Sequence, residues 1–166
     1  MFTLGVLTIS DMGYRGQRED TSGKAIQELL AEPQFKLVRY EIVPDEKAMI
    51  AQRLRWWADD LHLDIVATTG GTGLSPRDVT PEATRAVIDR DVPGLAEAMR
   101  AQTLKKTPMA MLSRAVAGVR GHTLIINLPG SPKAVRECLE VVLPVLPHAI
   151  EIMSGQATGH PALSQG

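Results

Sequence analysis

Thr68-Thr-Gly-Gly-Thr-Gly-Leu-Ser-Pro-Arg-Asp-Val-Thr-Pro-Glu-Ala-Thr84 follows directly on Asp64-Ile-Val-Ala67. The Ile-Val-Ala run is short and apolar, which suits a strand covered on both faces. Thr80-Pro81 supplies a cap and a first-turn proline for a helix expected through Ile88. Between strand and helix stand Gly70, Gly71 and Gly73, then Arg77-Asp78. A strand that ends in glycines and then presents a carboxylate has backbone free to approach a ligand closely.

The same alternation of strand and helix extends outward in both directions. Leu4–Ile9 reads as a buried strand, followed by a polar loop over Ser10–Asp20 and a helix over Ser22–Leu30 capped by Asp20, Thr21 or Ser22. Lys36–Val43 mixes polar and apolar residues as a strand near an edge does, and Asp45 precedes a helical pattern over Lys47–Asp60. Downstream, a helix is expected from Pro93 to about Thr103. Ala115–Val119 and Thr123–Asn127 then flank a close turn at Arg120-Gly-His122. Ser131-Pro132 opens a last helical stretch that Pro144 and Pro147 should kink or split before Met153. The predicted class is α/β: a single three-layer domain, its mainly parallel sheet covered by helices on both faces. The domain is expected over residues 1–154, with 155–166 a flexible C-terminal tail.

In such sheets ligands gather outside the carboxyl ends of the strands. The candidate loops are therefore Ser10-Asp11, Pro44-Asp45, Thr69 to Asp78, and Asn127 to Gly130. Consecutive amides of Thr69-Gly-Gly-Thr-Gly73 suit an anion such as phosphate. The loop is neither a P-loop, lacking Gly-Lys-Ser/Thr, nor a dinucleotide fingerprint, since Pro76 stands where a third glycine belongs. A β-carbon at Gly71 or Gly73 would meet the ligand or strain a positive φ angle. Asp45 and Asp78 together with polyphosphate point to Mg²⁺, a hard ion that takes oxygen ligands. Taken singly, Asp45 also fits a helix cap, and Asp78 a turn acceptor or a partner of Arg77. Ser10, Asp11, Asp20 and Ser22 likewise suit caps and turns, and Asn127 the end of a strand.

Composition narrows the classes. Of 166 residues, 44% are hydrophobic and 22% charged, as in an ordinary globular chain, and the net charge is −1. No basic field points to nucleic acid, and no apolar run of membrane-spanning length appears. Met1-Phe2-Thr3-Leu4 has no basic start of a secretory signal, and the single Cys138 forms no internal disulfide, so the cytoplasm is expected. His62, His122, His148 and His160 show no metal-ligand spacing. Cys138 reads as a small core residue. Adjacent Trp56 and Trp57 face different ways on one helix: one belongs to the core, the other to a surface that a subunit neighbour can cover.

Seven blocks in order carry a resemblance: Leu7-Thr-Ile-Ser-Asp11, Val43-Pro-Asp-Glu46, Thr69-Gly-Gly-Thr-Gly73, Pro76–Thr84, Pro93-Gly94, Met111-Leu-Ser-Arg114 and Ile126-Asn-Leu-Pro-Gly130. From about Leu4 to Ser154 the chain resembles the molybdopterin adenylyltransferase family and its sister branch, the molybdenum-cofactor biosynthesis protein B group. The resemblance implies transfer of AMP from Mg-ATP to the terminal phosphate of molybdopterin, with pyrophosphate released. It implies a homotrimer that hands the adenylylated pterin to a molybdenum insertase. Asp45 and Asp78 resemble the functional acids and metal-holding residues. Ser10, Asp11, Asp20 and Ser22 resemble the first ligand-lining loop, and Thr69, Gly70, Gly71, Thr72 and Gly73 the glycine loop. Ser113, Asn127, Pro129 and Gly130 resemble later pocket residues. The sister branch supplies the alternative, a protein that binds molybdopterin without adenylylating it. A weaker likeness joins nicotinamide-nucleotide-processing proteins, which carry a second domain.

Overall fold

In the computed structural model, residues 1–155 are described. Six strands occur among these residues: β1 (Phe2–Ile9), β2 (Phe35–Val43), β3 (Ile65–Thr69), β4 (Arg90–Asp91), β5 (Ala117–Arg120) and β6 (Thr123–Leu128). They form one sheet in the order β2-β1-β3-β6-β5-β4. β1 runs parallel to β2 and β3, and β3 runs parallel to β6. The β5–β6 hairpin and the β4–β5 pair are antiparallel, so the mainly parallel sheet ends in an antiparallel edge. β4 escapes sequence periodicity because it is two residues long. The free edge of β5 creates it, through Asp89 N donating to Val119 O at 2.7 Å and Val92 N to Ala117 O at 2.9 Å.

Among the described residues seven helices accompany the sheet: α1 (Asp11–Tyr14), α2 (Thr21–Leu29), α3 (Lys47–Asp59), α4 (Thr80–Arg85), α5 (Pro93–Leu104), α6 (Pro132–Val142) and α7 (Leu146–Met153). Short 3-10 turns occupy Pro108–Leu112 and Leu143–Val145. α1 lies in the expected polar loop, and α4 stops at Arg85, short of Ile88. Pro144 and Pro147 do split the last helical stretch, because neither can donate a backbone hydrogen bond. The tail expected from Gly155 lies outside the described residues except for Gly155 itself.

Alternating side chains of the central strands feed two separate cores. Leu4, Val6, Ile65, Ala67, Leu124 and Ile126 pack with α2, α5 and α6 through Ile26, Met99, Val135 and Leu139. Leu7, Ile9, Val66 and Ile125 face the other way, against Ile50, Leu54 and Trp57 of α3 and Ala83 of α4. Both faces are dry, which is why these strands carry unbroken apolar runs. Trp57 is fully buried, whereas the half-buried ring of Trp56 lies under the Arg39 guanidinium of β2, 4.7 Å from its centroid. The adjacent tryptophans therefore divide as their helical spacing requires.

β1 has β2 on one side and β3 on the other, so the chain reverses direction across the sheet at β1. Such a switch point leaves a crevice at the carboxyl ends of the strands. Here β3 and β6 are fastened just beyond their ends: Gly70 N donates to Leu128 O at 3.2 Å, and Thr69 Oγ1 to Pro129 O at 2.6 Å.

Gly5 in β1 lets Trp57 lie flat on the sheet. A β-carbon there would stand 2.8 Å from both the Trp57 ring and Leu63 Cδ1. Gly5→Ala should cost about 1–3 kcal/mol through overpacking. Thermal denaturation should show its midpoint lowered by about 2–4 °C per kcal/mol.

Candidate functional site

A cleft of about 230 Å³ opens at the carboxyl ends of β1 and β3. Ser10, Asp20, Ser22, Asp45, Thr69, Gly70, Gly71, Asp78 and Gly130 line it. A second, largely apolar cavity of about 270 Å³ is lined by Thr72, Gly73, Ser113, Asn127 and Pro129 together with Ala96, Met99 and Leu112. Gly70 and Gly71 wall the first cavity, and Thr72 and Gly73 the second, so the glycine loop is the partition between them. Of the residues singled out from sequence, Asp11 alone lines neither cavity.

Asp11 acts through Asp45 instead. Asp45 Oδ2 accepts from Asp11 N at 2.9 Å, and Asp11 Oδ1 accepts from Asp45 N at 3.0 Å. This reciprocal pair joins the loop after β1 to the loop after β2. Asp45 is accordingly not the cap of α3: that position belongs to Glu46, whose side chain makes no capping bond. Arg77 turns away from Asp78 and forks onto Asp11, Nε to Oδ2 at 3.0 Å and one Nη to Oδ1 at 2.9 Å. Asp78 Oδ2 accepts from Ser75 N at 3.2 Å, which makes it the turn acceptor.

The charges are unevenly balanced. The Arg77 fork, aided by the Asp45 amide, holds the Asp11 carboxyl below its ordinary range. The Asp45 carboxyl is pushed up, first by burial and then by the negative charges of Asp11 and Asp78. Of these three carboxylates, Asp11 alone pairs with a guanidinium, that of Arg77. Asp45 and Asp78 make no ion pair among the described residues, and two such carboxylates in one cleft favour a cation.

Ser10 and Asp20 hold local structure as well as lining the cleft. Ser10 Oγ caps α1 by accepting from Gly13 N at 2.9 Å. Asp20 caps α2 through Gly23 N at 2.9 Å, while its other oxygen accepts from Thr8 Oγ1 at 2.7 Å and from the Tyr40 hydroxyl. Burial and the Asp20 carboxylate raise the Tyr40 hydroxyl well above its ordinary pKa. Ser22 Oγ donates to Asp20 Oδ1 at 3.3 Å. Asn127 is fully buried at the cavity wall, its amide donating to Thr68 and Thr84 hydroxyls at 3.1 and 3.0 Å and accepting from Val116 N at 3.1 Å.

The glycines are not equivalent. Gly70 has φ +96°, and a β-carbon there would stand 2.3 Å from Ile9 O. Gly71 has φ +69°, and its β-carbon would stand 2.3 Å from Thr80 Oγ1, which itself donates to Gly70 O at 2.9 Å. Folding alone demands both glycines. Gly130 differs: a β-carbon there would meet nothing nearer than Gly70 Cα at 3.5 Å.

One residue that organises the site was missed as such from sequence. Arg114 Nε donates to Gly73 O at 2.8 Å, one Nη to Asp78 O at 2.9 Å and the other to Glu82. Its own amide reaches Thr72 O at 2.9 Å. Arg114 belongs to the Met111–Arg114 block, yet the carbonyls it holds lie far away in sequence and carry no side-chain signature.

Known proteins resemble this chain in sequence and fold. Residues 5–148 match the family model "Probable molybdopterin binding domain". The chain belongs to that family. It is 49% identical over 154 residues to a molybdopterin adenylyltransferase of Helicobacter pylori strain J99, covering 92% of this chain and 88% of that protein. The Escherichia coli K12 molybdopterin adenylyltransferase is 43% identical over 141 residues, covering 84% and 72%. Among solved structures, the molybdopterin biosynthesis enzyme MoaB of Thermus thermophilus superposes with a TM-score of 0.89 at 62% identity. That match covers 93% of this chain and 98% of that one.

Glycine chemistry and charge each give this family member a test. Gly71→Ala should lose stability through its strained φ and the Thr80 contact, whereas Gly130→Ala should melt within about 1 °C of the parent yet narrow the cleft. Melting and pterin affinity measured on one preparation check this; a destabilised Gly130→Ala would refute it. Second, the Arg114 guanidinium holds Glu82 below its ordinary value of 4.5. A depressed carboxyl contributes stability that is present above 4.5 and lost as pH falls through the lowered value. The pair is well exposed, so the contribution should be under about 1 kcal/mol. Glu82→Gln should flatten the fall of melting temperature with acid below that pH.

Proposed function

We propose that this chain is a molybdopterin adenylyltransferase. An oxygen of molybdopterin's terminal phosphate attacks the α-phosphorus of ATP. The bond from that phosphorus to the oxygen bridging to the β-phosphate breaks, and pyrophosphate leaves. The observation that carries the reading is the Asp45–Asp78 pair: two carboxylates without an ion-pair partner among the described residues, lining one cleft beside a glycine loop at the sheet's switch point. The 49% identity to a curated adenylyltransferase supports it.

The two cavities divide the labour. The apolar one, with Met99, Leu112 and the Ser113 hydroxyl on its wall, suits a planar ring system with polar edges. The polar one suits phosphates, since Gly71 and Gly130 bring backbone to its wall with no side chain in the way. The partition between them is then where pterin phosphate and nucleotide phosphate meet. Aligning two anions there is an entropic and electrostatic task that needs no covalent nucleophile from the protein.

The donor set fits Mg²⁺. Among the described residues no group of three or more His, Cys, Asp or Glu side chains is placed to hold a metal. Two carboxylates with hard oxygens are what Mg²⁺ takes when substrate phosphates and water complete its shell. Asp45 and Asp78 would hold it, and when bound it would neutralise charge on the phosphates. The reading extends to a homotrimer in the cytoplasm that passes its product to a molybdenum insertase. Among the described residues no helix is long and apolar enough to cross a membrane.

Incubation with molybdopterin, ATP and Mg²⁺ should yield adenylylated pterin and pyrophosphate. Asp45→Asn and Asp78→Asn should each lower kcat by about a hundredfold or more. Molybdopterin affinity should change less than about threefold. Light scattering on the same preparation should give the trimer mass. Wild-type protein that binds the pterin but makes no product would favour the carrier alternative.

A further inference from the structure

The polar cleft is crowded with acids. Asp20, Asp45 and Asp78 line it, and Glu19 stands beside them. Among the described lining residues Arg18 is the only cation. The arginines that hold the neighbouring loops are committed elsewhere: Arg77 to Asp11, and Arg114 to the carbonyls of Gly73 and Asp78 and to Glu82. Even Glu19, next to Arg18 in sequence, pairs with Lys24 instead. Arg18 is exposed and has no hydrogen bond or ion pair among the described residues.

Its position is nonetheless fixed within narrow limits. Gly16, at φ +73°, turns the chain after α1, and Asp20 two residues beyond Arg18 is anchored to Gly23, Thr8 and Tyr40. A guanidinium on so short a tether stays near the cleft. Five donors in a planar fork suit phosphate oxygens better than a point charge does.

Charge decides what such a group is for. A nucleoside triphosphate brings several negative charges into a cleft already lined by Glu19, Asp20, Asp45 and Asp78. A divalent ion at the two carboxylates offsets part of this, and the protein's own cations must offset more. Arg77 could serve only by abandoning a two-pronged bond to Asp11. Arg18 gives up nothing.

We propose that Arg18 grips the phosphate chain of the nucleoside triphosphate in this cleft. The inference rests on the nucleotidyl-transfer reading given above. Titration calorimetry on the full chain in Mg²⁺ buffer, with inorganic pyrophosphate, ATP and adenosine as probes, tests it. Arg18→Gln should weaken pyrophosphate and ATP about tenfold or more, equivalent to about 1.4 kcal/mol, and leave adenosine within about twofold. In turnover, KM for ATP should rise by a similar factor while kcat changes less. Arg18→Lys should fall between, keeping the charge without the fork. Arg15→Gln, which removes the same charge from the same loop but outside the cleft lining, should stay within about twofold of the parent.

Unchanged pyrophosphate affinity in Arg18→Gln overturns the proposal, as does an equal loss in Arg15→Gln. Wild-type protein that does not bind pyrophosphate overturns it whatever the turnover. Arg18-dependent pyrophosphate binding in a protein that forms no adenylylated pterin sustains the phosphate contact and sinks the transferase reading instead.

Discussion

Gly70 runs so close to the end of β1 that its absent β-carbon would lie 2.3 Å from the Ile9 carbonyl oxygen. That clearance governs much of the molecule. It lets the loop after β3 cross the end of β1 and touch the end of β6 through Gly70 N and Leu128 O. Gly71 then passes under Thr80, whose hydroxyl closes back on Gly70 O and whose residue starts α4. Three strand ends, one helix start and the partition between two cavities thus depend on two residues in a left-handed backbone. A side chain at either position would force the loop off the sheet and merge or close the cavities.

Around this backbone the electrostatics are left incomplete. In the wider fold, Arg53 meets Glu41 and Arg120 meets Asp59. At the strand ends Arg77 pairs with Asp11 and leaves Asp45 and Asp78 without an ion pair among the described residues. The reciprocal Asp11–Asp45 hydrogen bonds keep those acids from moving apart to relieve their repulsion. On the proposed reading a cation held by Asp45 and Asp78 would relieve that repulsion, so occupancy and folding stability should be linked.

Much of this was legible in the sequence, and the misses have common physical causes. The unbroken apolar runs of β1, β3 and β6, the Asp20 cap and the Pro144–Pro147 break are local signals, and the structure reproduces them. β4 was invisible because a two-residue strand has no period; only the free edge of β5 defines it. Asp45 read equally well as a helix cap because nothing local distinguishes a carboxylate facing its own helix from one facing Asp11. For Asp78 the sequence leaves a turn acceptor and a partner of Arg77 equally open; the structure makes it the turn acceptor, because Arg77 takes a partner 66 residues earlier. Arg114 recognises carbonyl oxygens, which every residue has. The glycine loop was found by composition, yet composition could not separate glycines the backbone requires, Gly70 and Gly71, from Gly130, where space is open.

The segment between Ser10 and Asp20 has a consequence of a kinetic kind. Its two ends are fastened by caps, Ser10 to Gly13 and Asp20 to Gly23, and the far end is tied further to β1 and β2 through Thr8 and Tyr40. What lies between the α1 helix and Asp20 is a bridge of a few residues whose span is already set. If the cleft takes an anion as proposed, ordering this bridge around it would cost only those few residues and no large-scale loop search. Capture at this cleft should therefore proceed near the rate of encounter, with the bridge settling on the nanosecond-to-microsecond scale of short loops and release governed by the strength of the contacts made.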